Sequence, residues 1–162
     1  MVSLAHMEIN VLIDKEYKKQ VKSIWLKNIA MQIQIAEKVS IKSEMTLVIT
    51  GDAKIHELNL KYLAENRPTD VLSFPMNEQL KTAPVFVNAP DARLHLGDII
   101  ISYPTAARQA EEHHHPVDRE ITILLIHGIL HLLGYDHDIP ARKHAMNKRE
   151  AAILKIIEEQ GL

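Results

Sequence analysis

Two histidines four residues apart, inside the longest apolar stretch of the chain, constrain this sequence more than any other feature. The stretch runs from Ile121 to Gly134 and continues as His127-Gly-Ile-Leu-His131-Leu-Leu-Gly134-Tyr-Asp-His137. Pro116 suits a helix start, and Asp118 and Glu120 suit its positive end, so a helix is predicted over Pro116–Leu133. On it His127 and His131 share one face, roughly 6 Å apart along the axis. Gly134 permits the left-handed turn that ends a helix. That turn can swing His137 back to the same point. The outcome is a three-imidazole site built from one helix and its exit loop.

The chain has no cysteine. That excludes thiolate metal sites, thiol nucleophiles and a disulfide scaffold. No further ligand in the stretch must close the coordination shell, so the fourth position is open. Structural zinc sites are closed by four protein ligands, whereas catalytic ones keep a water. Three neutral imidazoles suit zinc best, with nickel, cobalt or copper as other divalent choices. One histidine on an apolar helix is usually a packing residue; three at these offsets around a glycine are not. The spacing equals that of the metzincin zinc peptidases, H-E-x-x-H-x-x-G-x-x-H. Here Gly128 stands where their general-base glutamate would be, so the acid–base service of amide hydrolysis is missing. A second histidine run, His113-His114-His115, is predicted to be a solvated helix end, because consecutive helical residues point about 100° apart and cannot all meet one ion.

The remaining pattern predicts one domain over 1–162, with residues 1–6 an extension and Met7 an alternative start. Glu8–Ile13, Met45–Thr50, Asp70–Met76 and Leu94–Ser102 read as strands. Pro75 suits a sheet edge, and Gly97 a bulge. Lys15–Lys38 reads as one long helix with Tyr17, Val21, Ile24, Trp25 and Ile29 buried. Asp52 is placed as the cap of a helix to Ala64, with Ile55, Leu58 and Tyr62 inward. Further helices are expected at Tyr103–His115 and at Ala141–Gln160, the latter with Ile153, Ile156 and Ile157 inward, and a loop or small hairpin at 77–93. The predicted class is α+β: a small mixed sheet with helices stacked on it in three layers. There is no secretory signal and no apolar run long enough to span a membrane, so a cytoplasmic protein is expected.

The net charge of −2 and pI near 6.5 exclude a generally basic nucleic-acid coat. Positive potential must be local. Residues 1–42 hold seven Lys against four Asp/Glu, or +3. Lys15, Lys18, Lys19 and Lys22 would form a stripe on the first helix, read either as a phosphate track or as an ordinary solvated face.

His127–His137 resembles the H-G-x-L-H-L-x-G-Y-D-H motif of the YbeY family, the bacterial endoribonucleases of ribosomal RNA maturation. Pro68-Thr69-Asp70-Val71-Leu72-Ser73-Phe74-Pro75 is similar to the family's P-T-[DN]-V-L-S-F-P strand, and Leu96-Gly97-Asp98-Ile99 to its L-G-D-I strand. The resemblance implies a metzincin-like α+β fold, a zinc ion on His127, His131 and His137, and single-strand-specific RNA cleavage. It further implies maturation of the small-subunit (16S) ribosomal RNA 3′ end, ribosome quality control, and ribosomal RNA and the small ribosomal subunit as partners. One residue departs from the pattern. Leu63 stands where the family has an arginine thought to hold substrate phosphate, and Arg67 is the nearest substitute.

At such a site a metal ion can activate a water or polarise a phosphate oxygen, and the substrate 2′-hydroxyl is an alternative nucleophile. His127 and Arg67 are the catalytic candidates, with Arg93 a further cation. Asp98, Asp136 and Asp138 are candidates to orient the imidazoles, the latter two equally turn residues. Ser73 lacks a nearby base and is read as bordering the substrate groove. His6, His56, His95 and His144 are read as surface or core residues. Two other functions fit the residues: a zinc hydrolase of smaller substrates, and a ribosome-associated assembly factor whose metal is mainly structural.

Overall fold

β-Branched runs make four strands, which pair in the order β1-β2-β4-β3 in a computed structural model that describes residues 7–39, 42–76 and 94–161. Strands β1 (Met7–Ile13), β2 (Ser43–Thr50) and β4 (Leu94–Ser102) run parallel, and β3 (Val71–Pro75) lies antiparallel to β4 at the sheet edge. Pro75 has no N–H to donate, which an edge strand tolerates. The pairing steps from Glu44↔His95 to Met45↔Gly97, leaving Leu96 unmatched as a bulge. Gly97 sits there at φ +139, where a Cβ would run into the Phe74 carbonyl of β3. Glycine alone lets the two strands meet.

Five helices cover this sheet among the described residues: α1 (Ser23–Ala36), α2 (Asp52–Leu63), α3 (Tyr103–Glu112), α4 (Val117–Leu132) and α5 (Pro140–Glu159). One sheet face meets α1 and α4 through Met45, Leu47, Ile49, Ile99 and Ile101, and α5 packs on those two helices. The other meets α2, where Ile55 packs on Leu72 and Ile100. The sheet is therefore the middle of three layers, as the element order predicts. Helix α4 is the most buried, with ten of its sixteen residues inaccessible, which fixes the histidine-bearing helix rigidly on β3 and β4.

The long helix expected at Lys15–Lys38 is broken. Lys15–Tyr17 is a 3-10 turn and α1 begins at Ser23. Asp14 accepts from the Thr50 hydroxyl at 2.5 Å, and Tyr17 stacks on Tyr103 at 5.1 Å, so tertiary contacts hold this stretch off the helical path. Ile24 is 67% exposed, and the buried stripe is instead Leu26, Ile29, Ala30, Ile33 and Gln34. The lysine stripe dissolves with the helix: Lys22 is the N-cap of α1 and donates to the Lys18 carbonyl.

Smaller departures have similar causes. Gly51, not Asp52, is the α2 cap. Burial pushes the Asp52 carboxyl up, but hydrogen bonds from Ser102, Thr105 and Arg108 outweigh it and hold the pKa below its ordinary value. Tyr62 turns outward against Phe74, and Ile156 is exposed while Met146, Ile153 and Ile157 point inward. Helix α3 stops at Glu112, short of His115, and His114 adopts a left-handed φ of +56. Residues 77–93, with Arg93, and residues 1–6, with His6, lie outside the described residues. Among the described residues no helix is long and apolar enough to cross a membrane.

Candidate metal centre

Helix α4 ends in a Schellman motif: Gly134 N–H donates to the His131 carbonyl, and Tyr135 N–H to the Leu130 carbonyl. Gly134 takes φ +101, a conformation side chains disfavour. Asp136 then accepts the His137 N–H at 2.7 Å and folds the exit loop back. The three rings converge. Their centroids are 4.6 Å apart for His127–His131, 5.0 Å for His131–His137 and 5.9 Å for His127–His137. One ligand atom from each lies within 4.8 Å of the others. Three imidazole nitrogens with no thiolate fit a zinc-type divalent ion.

The electrostatics favour the metal-ready form. Burial, followed by the neighbouring His127 and His137, pulls the His131 pKa below its ordinary value; Asp136 and a backbone hydrogen bond at Tyr135 offset only part of this. A neutral imidazole is the form that binds metal. His127 Nδ1 lies 3.1 Å from Glu150 Oε1 on α5. The carboxylate can only accept, so Nδ1 carries the proton and donates it, and Nε2 is left with the lone pair that can bind a metal.

Glu150 was not among the residues expected to orient the ligands, and those that were do otherwise. Asp98 faces His95 at 3.6 Å, Asp136 caps its own turn, and Asp138 accepts from Ile139 N–H and pairs with Arg142. A signal for Glu150 exists: it falls on the inward stripe of α5, four residues after Met146 and three before Ile153. An acidic residue on a buried stripe requires a partner.

The three histidines open into a cleft of about 270 Å³ walled by Leu63, Val71, Leu72, Ser73 and Pro75. Leu63, 51% exposed at the end of α2, thus faces the histidines from the place where the resemblance expects an arginine. Arg67 is not among these lining residues; its guanidinium is 74% exposed and bound to Glu65 at 2.9 Å. Ser73 borders the cleft and directs its hydroxyl at the Gly128 carbonyl, 3.5 Å away. Gly128 packs directly on the sheet. A Cβ there would lie 3.0 Å from Ile99 Cγ2 and 3.1 Å from Ser73 Oγ, so a side chain at the peptidase glutamate position is tightly crowded and needs these neighbours to give by a few tenths of an ångström.

Comparison with known proteins gives the family and supports the fold. Residues 6–158 match the family model described as Endoribonuclease YbeY. A Dehalococcoides mccartyi protein named Endoribonuclease YbeY is 44% identical over 98% of this chain and 95% of its own length. A Moorella thermoacetica protein of the same name is 48% identical over 74% of this chain and 76% of its own. The solution structure of a Thermotoga maritima protein superposes with a TM-score of 0.56 at 23% identity, covering 94% of this chain and 93% of the other, and supports the fold.

Proposed function

This chain belongs to the endoribonuclease YbeY family, and from that premise we propose that it cleaves single-stranded RNA at the three-histidine cleft. Its substrate is ribosomal RNA, its step the maturation of the small-subunit RNA 3′ end, with ribosome quality control as the wider role. The small ribosomal subunit is its partner, the cytoplasm its location, and zinc or a related divalent ion its cofactor. The observation that carries the reading is the open cleft: His127, His131 and His137 converge at a solvent-facing groove beside an edge strand rather than in a closed shell.

An ion held by these three histidines would supply Lewis-acid activation of water or of a phosphate oxygen. The protein's own part is positioning. Glu150 fixes the tautomer and direction of His127. Helix α4, clamped on the sheet at Gly128, fixes His127 and His131. The substrate's 2′-hydroxyl is an alternative nucleophile to water at this site. Arg67 is the candidate cation for the developing phosphorane charge, and it must exchange Glu65 for phosphate to act.

The test is cleavage of a single-stranded RNA oligonucleotide by purified protein, with and without chelator. His127→Ala should abolish chelator-sensitive cleavage. Leu63→Arg adds a fixed charge and five N–H donors beside the histidines, and should raise the rate, by up to about 10²-fold. Arg67→Ala should lower it. Leu63 in the cleft also favours a second reading, an assembly factor that binds RNA without cutting it. That reading wins if neither the Leu63 nor the Arg67 change matters and His127→Ala preparations cleave as well as wild type, since the cleavage then belongs to a contaminant. Chelator-sensitive hydrolysis of unstructured peptides would favour the smaller-substrate hydrolase, although Gly128 supplies no acid–base group.

A further inference from the structure

The histidine run after α3 is only in part the solvated helix end expected: His113 and His114 are exposed, but His115 is mostly covered. Helix α3 closes with a second Schellman motif: His114 N–H donates to the Glu111 carbonyl and His115 N–H to the Ala110 carbonyl, both at 3.1 Å. The left-handed residue is His114, at φ +56. The reversal carries His113 and His115 to one side, onto the first turn of α4. There Glu120 Oε2 lies 3.4 Å from His113 Nδ1 and 3.1 Å from His115 Nε2. Donor atoms on a tetrahedral zinc, with bonds of about 2.0–2.1 Å, sit roughly 3.3 Å apart.

The hydrogen-bond chemistry of this cluster is incomplete without a cation. His115 Nδ1 lies 3.1 Å from the Pro116 carbonyl. A carbonyl only accepts, so Nδ1 holds the proton and Nε2 of the neutral ring is a lone pair. That lone pair faces a carboxylate oxygen, which also only accepts. Either a further proton or a metal ion must lie between them. The Glu120 side chain is 4% exposed, and a buried carboxylate without a cation is costly. The nearest arginine in sequence, Arg119, is already taken by Glu158 at 2.6 Å. His113, 59% exposed, leaves the cluster open to solvent on one side. On another, it opens into a cavity of about 350 Å³ walled in part by Asp70, Glu112 and Glu150 and reaching His127. These three carboxylates make that cavity favourable to cations.

We propose that His113, His115 and Glu120 form a second divalent transition-metal site, separate from the three-histidine centre. It is a two-histidine, one-carboxylate set with an open position, a ligand set suited to zinc. The His115–Pro116 hydrogen bond holds one ligand in its binding tautomer. The site does not depend on the ribonuclease reading, since it shares no ligand with the cleft.

The test is zinc uptake by chelator-stripped full-length protein, read by titration calorimetry and by elemental analysis after dialysis. Wild type should bind two ions per chain. His113→Ala, at an exposed position, should bind one, His131→Ala one, and the double variant none. Circular dichroism checks that each is folded. As a second readout, zinc should raise the melting temperature of His131→Ala, and that rise should vanish when His113→Ala is added. A folded His131→Ala that takes up no zinc overturns the proposal, and so does a double variant that still binds one ion. One ion in wild type, kept by His131→Ala and lost by His113→Ala, upholds this site and sinks the three-histidine reading instead.

Discussion

Helices α3 and α4 end in the same hydrogen-bonded reversal, yet the two reversals are made from opposite materials. After α4 the left-handed position is Gly134, the candidate ligands are three imidazoles, and the supporting carboxylate, Glu150, stands behind His127. After α3 the left-handed position is His114, and the carboxylate, Glu120, stands in front among the candidate ligands. In the first set, burial and the neighbouring histidines hold His131 toward the neutral form that binds metal. The second set includes a buried carboxylate, which is costly without a cation beside it. A helix terminus that turns back on itself is thus a general way to gather ligands, and the location of the carboxylate decides what the cluster demands.

The largest effect that separates the two regions is ligand removal at the first. His131→Ala should strip the ion from the three-histidine cleft, and chelator-sensitive RNA cleavage should fall to background, since two imidazoles cannot reproduce the site. A variant that keeps full cleavage would collapse the distinction. Glu150→Gln comes next. It preserves the shape of the contact to His127 but removes its charge, and zinc affinity at the first cluster should weaken about 10- to 100-fold. Competition with a metal indicator measures this. The same variant should weaken uptake by the His113 cluster far less, because Glu150 only walls the cavity beside it and is not one of its candidate ligands.

A pH effect sharpens the contrast further. The folded protein holds His131 below its ordinary pKa of 6.5, whereas the unfolded chain does not. The unfolded state therefore binds more protons as pH falls through 6.5, and stability must decline there. It is fully present above 6.5 and is lost toward the depressed folded-state pKa. Denaturant melts of metal-free protein between about pH 7.5 and 5.5 should show this slope. His131→Gln should flatten it.

What could be read from the sequence follows the same divide. His127, His131 and Gly134 lie within a single helical register, so spacing alone brought them together, and His137 followed from the glycine turn. The cluster of His113, His115 and Glu120 crosses a turn and a helix start. Helical geometry applied to consecutive residues argues against it, because nothing local reveals that α3 stops at Glu112. Glu150 lies 23 residues beyond His127 on another helix, and only its place on the inward stripe betrays it. The sheet and its edge proline were legible from β-branched runs. The break before Ser23 was not, since it is imposed by Thr50 and Tyr103, which are distant in sequence. The Leu63 departure was visible as a residue, but its position facing the histidines needed the fold.

The two reversals themselves give the smallest effects, and these have opposite signs. A Cβ at Gly134 would meet nothing within 4 Å, so Gly134→Ala bears only the backbone penalty of a positive φ, about 1–2 kcal/mol. It should also loosen zinc at the first cluster, because the turn aims His137. His114 already bears such a penalty, at φ +56 on an exposed residue whose ring is not a ligand of the cluster. Glycine there removes the steric strain but gives the unfolded chain more freedom, so the net gain is reduced. His114→Gly should therefore stabilise the protein by about 0.5–1 kcal/mol, raising the melting temperature by roughly 1–4 °C at this chain length. Zinc stoichiometry should not change, since the Schellman hydrogen bonds use only backbone atoms. If His114→Gly instead destabilises the fold, the imidazole of His114 makes a contact that outweighs its strain, and the two turns differ in more than their central residue.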